Sequence, residues 1–190
     1  EAGRPKSSRR PSHRIEHAQL VHPADVERFG QLGVVASMQP AHGAVDRPNA
    51  LKYWGERVAY ASPYRSLADR GAVLSFGSDA PFGLDLSDTS FSVLAGGYAA
   101  LTRRWPADGH TDPTPPEDYA PDEVLRLDEA LAAYTTGPAF VGGEDGWRGR
   151  ITAGQCADMV VLEENLYDVT VSDIPHVPVA LTIAGGRIVY

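Results

Sequence analysis

Cysteine is nearly absent from this chain: Cys156 stands alone among 190 residues. One thiol forms no internal disulfide and no thiolate cluster, so any metal must be held by imidazole and carboxylate. Basic residues are scarce beside acidic ones, 17 Lys and Arg against 25 Asp and Glu, for a formal charge of −8. That balance excludes nucleic acid as the expected partner, because binding to phosphates needs clustered cations. Five of the cations (Arg4, Lys6, Arg9, Arg10 and Arg14) do crowd the opening segment. No aromatic residue interleaves them, so they read as a solvated Arg/Ser/Pro arm rather than a nucleic-acid or anionic-membrane contact. Long apolar runs are missing as well. Nothing approaches the roughly 18 consecutive apolar residues of a membrane span, and the opening segment lacks the apolar core of a signal peptide. The cytoplasm is the expected compartment, with no membrane partner. An initiator methionine is also lacking, since the chain starts at Glu1.

What is present is the balance of a globular protein, 43% hydrophobic and 22% charged, without internal repeats. Arg14–Leu20 alternates loosely, as a strand end does. His22-Pro23-Ala24-Asp25 opens a helical pattern in which Val26, Phe29 and Leu32 keep the apolar spacing and Gly33 stops it. Val34–Met38 is a short apolar run bounded by Gln39-Pro40, the signature of a buried strand. A long polar loop is expected from Ala41 to about Lys52. Tyr64–Arg70 reads as a helix closed by Gly71, and Ala72–Phe76 as another buried strand running into Gly77-Ser78-Asp79-Ala80-Pro81. Strands apolar on both faces, alternating with helices, indicate a parallel α/β architecture. Phe91–Arg104 and Asp128–Tyr134 are expected helices, separated by a Pro-rich surface loop over Trp105–Pro121. From Gly149 the character changes. Arg150–Ala153 and Met159–Leu162 read as strands around Gly154-Gln155, and Ala180–Ala184 and Arg187–Tyr190 flank the hairpin loop Gly185-Gly186. The expected division is an α/β body over residues 1–148 and an all-β segment over 149–190.

Parallel α/β folds place their chemistry at the C-terminal ends of the strands. Three places qualify: His17 with Gln19, Gln39 through His42, and Asp79. An imidazole and a carboxylate converging from neighbouring strands are two ligands of a typical zinc site, and the carboxylate could also take a proton from a metal-activated water. Each has a plainer reading, His17 as a hydrogen-bonded histidine and Asp79 as a turn-forming Asx residue. His42 and Asp46 fall on the expected polar loop, where substrate contact and simple solvation are equally served. His13, His22, His110 and His176 carry weaker signals; His22 precedes proline at a helix start, and His176 lies on the surface of the β segment. Other chemistries find no support. There is no Gly-x-Ser-x-Gly elbow, no Walker loop and no Gly-x-Gly-x-x-Gly; Gly96-Gly97 and Gly142-Gly143 are isolated pairs. The acidic string Asp79–Asp88, with Asp85 and Asp88, lacks the oxygen spacing and closing glutamate of a calcium loop.

The ordered strings say more than the spacings. RIEHAQ at Arg14–Gln19, ASMQPAH at Ala36–His42, GERVAYASPYRSL at Gly55–Leu67 and FGSDAPF at Phe76–Phe82 follow one another. EALAAYTTGPA at Glu129–Ala139, GRITAGQCADMVVLEENLYD at Gly149–Asp168 and the closing LTIAGGRIVY complete the series. From Arg14 to Tyr190 this resembles the C-terminal part of the amidohydrolase superfamily, in its amidohydrolase family 3 branch of N-substituted formamide deformylases and related metal-dependent hydrolases.

The resemblance implies roughly strands six to eight of a TIM-like (β/α)8 barrel, plus part of a β-sandwich appendage. It implies that His17 is a metal ligand, and that Asp79 binds metal and is catalytic, shuttling the proton of the attacking water. His42 and Gln39 would contact the substrate. The implied cofactor is a divalent metal, zinc first, and the implied reaction is hydrolysis of a carbon–nitrogen bond other than a peptide in a small amide-like substrate. Self-association into a homo-oligomer is compatible with the fold. The family's first-strand His-x-His pair and its middle-strand ligands have no counterpart here. The chain is therefore expected to be a fragment, inactive on its own, of a larger hydrolase. The rival expectation is a non-catalytic remnant or binding module that kept the fold but not the metal.

Overall fold

Two short apolar runs and the exposed segment Arg14–Glu16 become three parallel strands: β1 at Arg14–Glu16, β2 at Val35–Met38 and β3 at Leu74–Phe76, in the order β1-β2-β3. The computed structural model describes residues 13–82, 92–106 and 119–190. Most of the basic arm, Asp85 and Asp88, His110 and most of the Pro-rich Trp105–Pro121 stretch lie outside the described residues. Parallel strands need crossovers on the sheet faces, and the helices supply them. Helix α1 (Pro23–Leu32) connects β1 to β2. It begins where expected, with the His22 imidazole accepting from the Ala24 amide, and Gly33 closes it at φ 64°.

The segment between β2 and β3 departs from the expected loop. It forms α2 (Pro40–Val45), α3 (Arg47–Trp54), a 3-10 turn at Gly55–Tyr60 and α4 (Tyr64–Asp69). Two features explain the difference. Proline stands in the first turn of both α2 and α3, where its fixed φ favours the helix and its missing N–H costs nothing. In addition, Pro40, Ala41, His42 and Gly43 are all buried, so α2 has no polar face and shows no amphipathic period.

Beyond β3 come α5 (Val93–Thr102), α6 (Leu127–Tyr134) and α7 (Thr136–Val141). The core lies between the sheet and α1, α4, α5 and α6. Met38, Tyr64, Leu67, Leu74, Phe76, Ala100 and Ala130 meet there, and Phe76 sits edge-on between the rings of Tyr64 and Tyr134, each 5.4 Å away. Burying each large apolar side chain contributes about 1.5–3 kcal/mol. At the start of α7 the backbone of Gly137 lies so close to β3 that an added Cβ would stand 2.1 Å from the Leu74 carbonyl oxygen.

The second sheet is antiparallel, in the order β4 (Met159–Leu162), β5 (Val179–Ala184) and β6 (Arg187–Ile188). Gly185 and Gly186 take the positive φ values of a two-residue hairpin loop, 57° and 78°, and the Asp158 carboxylate accepts from the Gly185 amide. No strand forms at Arg150–Ala153, contrary to expectation. Ile151 is 81% exposed there, so its β-branched pattern has no neighbour to pair with or pack on. Leu166, Ile174 and Val177 seat this part of the chain on Leu94, Leu101, Leu127 and Leu131 of α5 and α6. No helix among the described residues is long and apolar enough to cross a membrane.

One ion pair ties α4 to α6. Arg65 donates through both terminal nitrogens to Glu129, at 2.6 and 2.9 Å, and Glu129 also accepts from the Arg126 amide. The Arg65 guanidinium holds the Glu129 carboxyl below its ordinary value of 4.5. A carboxyl lowered in the folded state stabilises above its unfolded pKa, and that contribution is lost as pH falls through the folded pKa. Glu129→Gln should therefore cost about 1.5–3 kcal/mol at pH 7, and the gap to the parent in urea unfolding should close as the pH drops below 4.5. Gly137→Ala should cost at least about 1–3 kcal/mol in the same assay at all pH values, because the clash is steric.

Candidate metal centre

The three parallel strands end at one level, and each leads into a residue of the site. His17 follows β1 directly, Gln39 follows β2 directly, and Asp79 stands three residues after β3. His17 and Ala18 have φ values of 67° and 42°, and Asp79 has 57°. Non-glycine residues rarely occupy this region, and the kinks bend the chain sharply away from the strand direction. The ring of His17 consequently meets the end of β2: its Nδ1 lies 3.0 Å from Gln39 Oε1 and 3.9 Å from Asp79 Oδ2.

Helix α2 brings the fourth member. His42 is 6% exposed, and its ring lies nearly parallel to that of His17, 12° between planes and 6.2 Å between centroids. Its Nε2 is 3.1 Å from the Phe82 carbonyl oxygen, and that oxygen can only accept, so Nε2 carries the proton. The same reasoning applies to His17. The Gln39 amide oxygen 3.0 Å from its Nδ1 accepts, which places the proton on Nδ1. In its neutral form each imidazole then keeps one nitrogen, Nε2 of His17 and Nδ1 of His42, for a metal.

Ligand atoms of His17, His42 and Asp79 all lie within 4.8 Å of one another, the one such cluster of three among the described residues. Zinc binds nitrogen and carboxylate oxygen at about 2.0–2.2 Å, so donors around one ion sit roughly 3–4 Å apart. Two imidazoles and one carboxylate are a donor set suited to a divalent transition metal. These residues therefore fit a divalent cation, with the His17 and Asp79 side chains still 49% and 34% exposed on the open side.

The other sequence candidates support the site or fall elsewhere. Gln39 is 8% exposed, with its amide against His17 rather than capping α2. Gln19 donates to Asp46 at 2.8 Å, which ties the loop after β1 to the end of α2. Asp46 is therefore engaged in bracing the site. His13 is exposed ahead of β1, His22 caps α1, and His176 is exposed in a 3-10 turn at Ile174–His176. The expectation for His42 placed it on a flexible loop; it is buried on a helix instead, because α2 is packed on every side.

The sequence profile described as "Amidohydrolase family" matches residues 1–190. The chain belongs to the amidohydrolase family. Among curated relatives, LONG AFTER FAR-RED 3 of Arabidopsis thaliana is 32% identical over 179 residues, covering 93% of this chain and 28% of its own length. N-substituted formamide deformylase of Arthrobacter pascens is 28% identical over 179 residues, with 93% and 30% covered. An uncharacterized metal-dependent hydrolase from Pyrococcus horikoshii superimposes with a TM-score of 0.67 at 26% identity, over 83% of this chain and 30% of its own. The chain thus spans less than a third of the length of these relatives.

The hydrogen bond from His17 to Gln39 can be tested directly. In the metal-free protein at pH 8, Gln39→Leu should shift the neutral His17 ring toward its Nε2–H tautomer. Ring 15N chemical shifts read this, and an unchanged tautomer would contradict the assignment.

Proposed function

We propose that the chain is part of a metal-dependent hydrolase that cleaves carbon–nitrogen bonds other than peptide bonds, in small amides such as N-substituted formamides. The observation that carries this reading is the convergence of His17, His42 and Asp79 at the shared end of three parallel strands. The substrate class draws support from the family and from the relative named as a formamide deformylase. The strands fit the sixth to eighth of a TIM-like (β/α)8 barrel, with residues up to 148 in the barrel and 149–190 in part of a β-sandwich. Parallel strand order and chemistry at the C-terminal strand ends support that placement.

His17, His42 and Asp79 would hold the cation, with zinc the best match to imidazole and carboxylate donors. A bound divalent cation supplies Lewis acidity, which polarises the scissile group and brings the pKa of a water to about 7 on zinc. The remaining work falls to the side chains. Asp79 Oδ2 takes the proton of the attacking water as oxygen adds to the acyl carbon, then gives it to nitrogen as the C–N bond breaks. A formamide so cleaved yields formate and an amine. Gln39 uses its amide oxygen to fix the His17 ring and keeps its NH2 group for a substrate oxygen. His42 forms the buried wall against which the substrate lies.

The test uses the whole gene product of which this chain is part. Elemental analysis should find tightly held zinc, and chelation should remove both the metal and the hydrolysis of N-alkyl formamides, with zinc restoring both. Asp79→Ala should lower kcat by about 10²–10⁴-fold without changing the far-UV circular dichroism. A well-folded protein that retains no divalent metal after loading would overturn the enzyme reading and leave a binding module.

A further inference from the structure

Four non-glycine residues in the left-handed region, His17, Ala18, Ser62 and Arg103 at φ 67°, 42°, 46° and 64°, are joined by one run of contacts. Such conformations persist only where the surroundings over-determine them. Here the surroundings can be named. The Ser62 amide donates to the Gln19 carbonyl at 2.7 Å, and Leu20 bridges Ala61, so the segment at 61–62 lies against the loop that leaves β1. Behind that segment stands Arg103, which ends α5 and is 2% exposed. Its Nη1 donates to the Ser62 carbonyl at 2.9 Å and its Nη2 to the Ala61 carbonyl at 2.8 Å. Tyr64 and Tyr119 face the guanidinium with their rings, at 5.2 and 4.7 Å.

A buried guanidinium is a costly way to fill space. Burying a cation is unfavourable unless specific partners replace its water, and an apolar side chain would fill the volume without that loss. No carboxylate meets Arg103 among the described residues. Burial also raises both tyrosine phenols, Tyr64 to about 12, so neither supplies a negative charge. What the guanidinium provides that an apolar residue cannot is a rigid planar fork. Here the fork spans two successive carbonyls. The tie extends further through Gln19, whose side chain donates to Asp46 at the end of the helix that carries His42.

We propose that Arg103 is a positioning residue for the metal centre. By bridging the Ala61 and Ser62 carbonyls it holds the loop that presents His17, and through Gln19 it holds the helix that presents His42. This rests on the reading of His17, His42 and Asp79 as ligands. Lysine at this position keeps the charge but has a single nitrogen on a flexible stem, and cannot span both carbonyls in one plane.

The experiment measures zinc affinity of the full chain, stripped of metal, by competition with a chromophoric chelator well below the melting temperature. The metal-free melting temperature is read alongside it. Arg103→Lys should weaken zinc binding by about 10-fold, the lower end of what losing a group bonded directly to a ligand costs, while the folded fraction at the assay temperature stays at the parent's level. Gln19→Leu should weaken it in the same direction by a smaller factor. A purely structural role would lower the melting temperature and leave the affinity of the folded protein unchanged, and that result in Arg103→Lys would overturn the proposal. If Arg103→Lys does not fold, Gln19→Leu decides, with parental affinity counting against the proposal. His17→Ala and Asp79→Ala separate the two readings. Parental zinc affinity in both would sink the ligand assignment itself, whereas loss in both with none in Arg103→Lys would sink only the positioning role.

Discussion

The site depends on the register of three parallel strands. Glu16 pairs with Ser37, and Met38 pairs with Phe76, so the strands run out together and the residues after them emerge at the same edge. Parallel pairing alone would send the chain onward into solvent. The positive φ values at His17 and Asp79 turn it back, and this brings an imidazole from one outer strand against a carboxylate from the other, across the end of the middle strand. A slip of one residue in either pairing would move a side chain to the opposite face of the sheet and separate the cluster. The core that fixes this register is centred on Met38, Leu74 and Phe76, and it thus sets the cluster's geometry although these three side chains are apolar.

Bracing radiates outward from that edge. Gln39 fixes the His17 ring, Gln19 ties the first loop to α2, and the segment at 61–62 closes over both. Helix α5 carries Arg103 at its end and also offers Leu94 and Leu101 to the cluster of Leu166, Ile174 and Val177. The antiparallel sheet region therefore buttresses the same helix that reaches toward the site. The chain from 149 onward is in this way packed on α5 and α6, the first of which carries Arg103 at its end.

Much of the strand and helix framework was legible from local signals. The apolar runs around β2 and β3 are short, β-branched and bounded by turn residues, and the Gly185-Gly186 pair marks a hairpin on its own. His17, Gln39, His42 and Asp79 could be singled out because strand ends in parallel folds attract chemistry. The helices α2 and α3 were hidden. A helix buried all round has no stripe, and the polar composition of residues 41–52 mimics a loop. The false strand at Arg150–Ala153 shows the converse, since a β-branched pattern counts for nothing without a partner strand. Arg103 was invisible because an arginine after an apolar helix looks like any solvated residue until its burial is known.

By itself the sequence determined the class of the protein. Its single cysteine left only imidazole and carboxylate for a metal, its alternating patterns required a parallel α/β body, and its ordered strings matched one family. Tertiary structure decided which of the described histidines come together. Only packing could carry His42 from an expected loop to a buried helix face beside His17, and only folding could show which carbonyls Arg103 spans. The reason is distance along the chain. His17 and Asp79 are separated by sixty-two positions and Arg103 lies farther still, so no local pattern records their meeting.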